Sequence, residues 1–141
     1  MENKIIKQLA HICIHTNDLK KTEIFYCDIL GLSKKFNFNK DGNLFGFYID
    51  LGNKTFIEFF LNSEVTIQSS VIKHFALEVE NIEQVIERLR ENGIEVKDKT
   101  IGSDNSWQTW ATDPNGVLIE FHQYTDKSSQ LNGNDCIVNW K

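Results

Sequence analysis

The sequence holds one proline and no low-complexity run, so nothing in it reads as a stiff proline-rich linker, and its 141 residues suffice for one compact domain with a real core. No apolar run approaches the length of a membrane span. The opening MENKIIKQ lacks the apolar core of a signal peptide, and the expected compartment is cytoplasmic. A basic stripe and a phosphate-cradling glycine loop are also missing, and the net charge is −5, so no nucleic-acid partner is expected. Cysteines are few: Cys13, Cys27 and Cys136 are odd in number and form no C-x-x-C pair, which reads as free thiols in a reducing compartment. What remains, 40% hydrophobic and 25% charged residues, is an ordinary globular mix.

What is present is a repeat. QLAHICIHTNDLKKTEIFYCDILGL (Gln8 to Leu32) returns in weaker form as IKHFALEVENIEQVIERLRENGIEVK (Ile72 to Lys97). His11 and His74 are 63 apart, as are Asp18-Leu19 and Asn81-Ile82. Each copy closes on a matching strand, Phe56-Ile57-Glu58-Phe59 and Leu118-Ile119-Glu120-Phe121, which sets Glu58 and Glu120 62 apart. Two modules, about 8–62 and 71–124, therefore share the chain, with a tail over 125–141. A repeat this long is no solenoid unit.

Alternation predicts a first strand over Leu9 to His15, with His11, Cys13 and His15 on one face. Thr16-Asn17-Asp18 stops it, and Asp18 caps a helix from Leu19 to about Ile29 that Gly31 ends. Strands are expected over about Ser33 to Phe38, Leu44 to Leu51 and Thr55 to Leu61, turned by Asp41-Gly42-Asn43 and Gly52-Asn53. Ser63 to Ser70 reads as the connection. The second module repeats the order: strand Ile72 to Val79, helix Ile82 to Asn92 with Asn81 and Gln84 as a capping signature, then strands near Ile94 to Lys97, Trp107 to Thr112 and Val117 to Tyr124. Asp113-Pro114-Asn115-Gly116 is the last turn.

The repeat singles out His11, Glu58, His74 and Glu120. A single His on a strand is more often a packed or surface residue than a ligand, and a single Glu is more often solvated. Here both types recur together, and each Glu is embedded in apolar sequence, where a carboxylate is costly to bury without a partner. Two imidazoles and two carboxylates balance a divalent cation. Such mixed donors suit Ni, Co, Zn, Fe or Mn without selecting sharply, and leave octahedral positions open for water or substrate.

With those residues in view the chain resembles the vicinal oxygen chelate superfamily. His11, Asp18-Leu19, Phe25-Tyr26 and Leu30-Gly31-Leu32 are similar to its opening module, and Asp113-Pro114-Asn115-Gly116 with Ile119-Glu120 to its closing one. The resemblance runs from about Gln8 to Tyr124. It implies an α+β fold in which two paired βαβββ modules form a cup-shaped mixed sheet, helices outside, around one divalent metal ion. The His-Glu-His-Glu order resembles glyoxalase I. Fosfomycin-modifying enzymes and extradiol dioxygenases lack a liganding Glu at the position of Glu58, and methylmalonyl-CoA epimerases place Gln there. The short chain is similar to bacterial forms that favour nickel or cobalt over zinc.

This likeness implies a metal-dependent lyase or isomerase that carries a thiol hemithioacetal of a 2-oxoaldehyde, such as methylglyoxal, through an enediolate. Glu120 would move the proton, Glu58 would be the second acid/base, and His11 and His74 would anchor the metal. A homodimer is implied too. The alternatives are an epimerase, a thiol transferase, a dioxygenase or a non-catalytic module that shelters a small ligand.

Three further residues are candidates for substrate contact: Asn62, His15 and His122. Asn62 matches the family's glutathione-holding asparagine. His15 stands where the family has an arginine, and an imidazole cannot make the forked contact of a guanidinium with a carboxylate. His122 shares the face of Glu120, at the substrate surface or the rim. Cys13 is expected as a small buried hydrophobe, and Trp107 and Trp110, an odd number of residues apart, on opposite faces. Phe45, Phe47, Phe56 and Phe60 form either an apolar pocket or core. The tail ends in an apolar stretch that would lay Trp140 against the body as a flap or hang loose.

Overall fold

A computed structural model describes residues 5–66 and 70–138. Trp140, and with it the expected flap, lies outside the described residues. The chain divides into two compact units, Met1–Thr66 and Ile67–Lys141. Each is a four-stranded mixed sheet with a helix packed on it, so the fold class is α+β with two βαβββ modules.

In the first unit β1 (His11–Thr16) leads through Asp18 into α1 (Leu19–Glu23). The Asp18 side chain accepts from the Lys21 amide at 2.9 Å, and a buried Thr16–Thr22 hydroxyl pair at 3.0 Å ties strand to helix. The predicted helix to Ile29 is interrupted: from Ile24 to Ile29 it widens into a π-helix, closed by the Leu30 amide on the Phe25 carbonyl at 3.0 Å. Phe25, Tyr26 and Ile29 are all buried along this widened turn. Gly31, at φ 78°, ends it.

Then come β2 (Ser33–Lys40), β3 (Asn43–Asp50) and β4 (Phe56–Leu61), in the order β1-β4-β3-β2 with β1 parallel to β4. Asp41 (φ 52°) and Gly42 (φ 79°) make the tight hairpin between β2 and β3. On the helix side Ile14, Phe47, Ile49, Ile57 and Phe59 are buried, as are Phe25 and Tyr26, with the Tyr26 and Phe59 rings 4.9 Å apart. The other side carries Phe56, Glu58 and Phe60, all half-buried. Phe47 thus belongs to the core, while Phe45 and Phe60 meet at 5.5 Å.

The second unit runs β5 (Phe75–Glu78), α2 (Ile82–Glu91), β6 (Thr100–Ile101), β7 (Trp107–Thr112) and β8 (Leu118–Gln123), in the order β5-β8-β7-β6 with β5 parallel to β8. Asn81 caps α2 by accepting from the Gln84 amide at 3.1 Å. Ile82, Ile86 and Leu89 of α2 are buried, as are Ala111, Ile119 and Phe121 of the sheet. Two strands differ from expectation. The first is shorter, and His74 immediately precedes it. The strand expected at 94–97 forms instead at Thr100–Ile101. The Arg90 guanidinium takes the Val96 carbonyl at 3.0 Å and the Thr109 hydroxyl takes the Lys97 carbonyl at 2.8 Å, so side chains satisfy groups that a ladder would use. After β8 a short helix, α3 (Ser129–Asn132), folds back within this unit.

Candidate functional site

In the first unit strand alternation puts His11, Cys13 and His15 on the outer face of β1, and the parallel register pairs Cys13 with Glu58 on β4. His11 Nε2 is 3.4 Å from Glu58 Oε2. Tyr48 on β3 stands opposite Glu58, and its hydroxyl is 3.4 Å from His11 Nδ1. That contact falls on the ring nitrogen remote from Glu58, as expected of a partner that orients a ligating imidazole.

The second unit builds the same pair. His74 Nε2 is 3.4 Å from Glu120 Oε1. Trp110 on β7 stands opposite Glu120 and meets the His74 ring edge-on at 4.7 Å. The exposures correspond as well: 40% and 38% for the two His side chains, 16% and 12% for the two Glu side chains. Each carboxylate is mostly buried, with its imidazole at the open end.

The donor chemistry fits a divalent ion. Donors held at about 2.1 Å from a metal lie about 3.0 Å apart at a right angle and about 3.4 Å apart at a tetrahedral one. Each His-Glu pair has the separation of two neighbouring ligands. Two donors do not make a site, and among the described residues no three His, Cys, Asp or Glu side chains form a metal-holding group.

The remaining candidates fall into two places. His15 and Asn62 are neighbours, Asn62 Nδ2 lying 3.2 Å from His15 Nδ1, and they line an open pocket of about 440 Å³ with Phe45, Phe60 and Glu64. His122 is no rim residue: it is 8% exposed, and its Nε2 lies 2.9 Å from Glu120 Oε2. The same nitrogen is 4.0 Å from Asp104 Oδ2. Asp104 carried no sequence signal; only folding brings its loop to β8. Burial works to raise its pKa, but hydrogen bonds from Gln130 and the Ser106 amide, with His122 nearby, hold it below the ordinary range. Cys13 is exposed, against expectation, because the outer face of β1 is not covered by its own helix. Local burial of the sulfur, then the charge and hydrogen bond of Glu58, raise its pKa. Trp107 and Trp110 do face opposite sides: Trp110 lies against His74, while Trp107 packs under Lys99, whose Nζ is 4.1 Å from the ring centre.

Comparison with known proteins places this geometry in a class. The sequence model of the Glyoxalase/Bleomycin resistance protein/Dioxygenase superfamily matches residues 8–121, and the chain belongs to that family. Among solved structures it is similar to a glyoxalase family protein from Enterococcus faecalis, at 25% identity and a TM-score of 0.72, over 84% of this chain and 99% of that one. It is also similar in fold to TnmS3, an antibiotic binding protein from Streptomyces sp. CB03234 (17% identity, TM-score 0.71, 87% of this chain and 100% of that one). A lactoylglutathione lyase from Agrobacterium tumefaciens gives 17% identity and a TM-score of 0.65, over 88% of this chain and 97% of that one. No curated protein matches the sequence. Among the described residues no helix is long and apolar enough to cross a membrane.

Proposed function

We propose that this chain is a divalent-metal-dependent lyase or isomerase of the glyoxalase I type, in which His11, Glu58, His74 and Glu120 together hold one ion, nickel or cobalt before zinc, iron or manganese. The observation that carries this reading is the duplicated His-Glu pair, at 3.4 Å in each module and with matched burial. When bound, the metal supplies positive charge for the oxygen that becomes negative as the substrate loses a proton.

The chain's own residues do the rest. His11 and His74 hold the ion without adding charge. Glu120 takes the proton from the carbon beside the substrate carbonyl and returns it to the neighbouring carbon, while a hydroxyl proton passes the other way. The hydroxycarbonyl thereby becomes its isomer with no change in composition. Glu58 is the second acid/base. The substrate is a hemithioacetal formed by a thiol and a 2-oxoaldehyde such as methylglyoxal. Its thiol portion lies beside His15 and Asn62 in a homodimeric, cytoplasmic protein.

The test is reconstitution with Ni²⁺ or Co²⁺ followed by thioester formation from methylglyoxal with glutathione, and separately with an uncharged thiol. Turnover that falls by roughly 10²–10⁴ in Glu120→Gln supports the assignment. Metal-loaded protein inactive with both adducts would sink it.

A second reading has its own observation. The outer face of β2–β4 is aromatic, with Phe36 stacked on Tyr48 at 4.4 Å and Phe38 against Phe60 at 4.8 Å. Such a wall suits a flat, apolar small molecule, and a neighbour of the same fold is an antibiotic binding protein. Under this reading the module shelters a ligand and performs no reaction.

A further inference from the structure

The two modules are alike at their His-Glu pairs and unlike beside them. The residue two beyond Glu120 is His122, which reaches Oε2 at 2.9 Å. The matching residue two beyond Glu58 is Phe60, which reaches no carboxylate oxygen and packs against Phe38 and Phe45. Glu120 therefore has its two oxygens divided, Oε1 beside His74 and Oε2 beside His122.

His122 is linked through Asp104 to residues 125–130. Asp104 faces the same His122 nitrogen at 4.0 Å. Gln130, on α3, donates to Asp104 Oδ2 at 2.6 Å, and the Ser106 amide donates to Oδ1 at 3.0 Å. The buried Ser106 and Ser128 hydroxyls meet at 2.7 Å, the Thr125 hydroxyl donates to the Asn105 carbonyl at 2.7 Å, and the Ser129 amide donates to the Asp104 carbonyl at 2.9 Å. The start of the tail is thus laced to the Gly102–Ser106 loop, and that loop carries the carboxylate behind His122.

We propose that His122 is a positioning residue for Glu120, and that residues 125–132 form the latch that holds it in place. His122 gives its Nε2–H to Oε2, so Glu120 presents Oε1 alone beside His74. Asp104, kept in place by Gln130, lies 4.0 Å from the same nitrogen, too far to compete for that N–H, and its charge attracts the N–H edge of the ring. A carboxylate tethered at one oxygen binds through the other in one orientation, whereas an untethered one swings. The proposal rests on the reading of Glu120 as a metal ligand.

The experiment titrates Co²⁺ into the full-length apoprotein and into His122→Phe, His122→Gln, Asp104→Asn and Gln130→Ala. It follows affinity and the visible cobalt spectrum, with circular dichroism as the check on folding. His122→Phe should weaken cobalt binding roughly 10- to 100-fold and alter the spectrum. His122→Gln, which keeps an N–H donor near the same point, should recover most of both. Asp104→Asn and Gln130→Ala should weaken binding more mildly, and they carry the test if His122→Phe does not fold. Wild-type affinity and spectrum in His122→Phe, or in Asp104→Asn and Gln130→Ala together, would overturn the latch alone. Wild-type protein that binds no cobalt would overturn the latch together with the metal reading.

Discussion

Cys13 and Asp104 are titratable side chains beside the two His-Glu pairs, and each makes a prediction at its own scale. Burial and the charge of Glu58 raise the Cys13 pKa, so little thiolate is present near neutral pH although the residue is exposed. With Cys13 kept as the sole cysteine, reaction with a thiol reagent at pH 7 should be slow and should quicken in Glu58→Gln; equal rates would show that Glu58 exerts no field there. Asp104 is the opposite case. Its folded pKa lies below the unfolded value, so it contributes stability that is fully present above the ordinary aspartate pKa of about 4 and is lost as pH falls through the folded value. Wild-type melting temperature should therefore drop between neutrality and about pH 3 more steeply than that of Asp104→Asn, and parallel curves would refute the assignment. Strand parity told which face each residue occupies but not how deep it lies. Hence His122, expected at the substrate surface or the rim, is buried, and Cys13, expected buried, is exposed.

At the scale of elements, β3 and β4 approach each other where Gly46 stands opposite Phe60. A Cβ on Gly46 would collide with the Phe59 carbonyl oxygen and lie 2.8 Å from the Phe60 ring. Gly46→Ala should destabilise by about 1–3 kcal/mol in denaturant unfolding and should shift Phe60, a wall of the pocket with His15 and Asn62. The helix caps offer a second check: Asn81→Ala, which removes the acceptor for the Gln84 amide, should cost about 1 kcal/mol. Most elements were legible because their signals are local. Asp18, Asn81, Asp41-Gly42 and the Asp113 turn each carry their own chemistry, and the alternation in β4 and β8 fixed which residues face the helices. What was not legible depended on partners remote in sequence. The π-helical turn goes with burial of the adjacent Phe25 and Tyr26, Tyr26 against Phe59, and the strand at 100–101 displaces the one expected at 94–97 because Arg90 and Thr109 capture carbonyls.

For the whole molecule the question is whether the duplicated pair is one site or two. Each module contributes an imidazole and a carboxylate at 3.4 Å, and two donors alone bind a divalent ion weakly. If the four donors act together, tight binding needs both modules, and loss of either imidazole removes half the donor set of the same ion. Titration of the wild type with Ni²⁺ should then give about one tight ion per chain, the stoichiometry expected of one four-ligand site. His11→Ala and His74→Ala should each abolish tight binding. If instead each module bound its own ion, the wild type would take about two per chain, and either substitution would leave one. Thermal stability reads the same contrast independently, because an ion that binds only the folded chain raises the melting temperature with its concentration. A shared ion predicts that the rise vanishes in both variants, and separate ions predict that part of it survives in each. Retention of one tight ion in His11→Ala would leave the repeat intact as architecture but remove it as the basis of the catalytic reading.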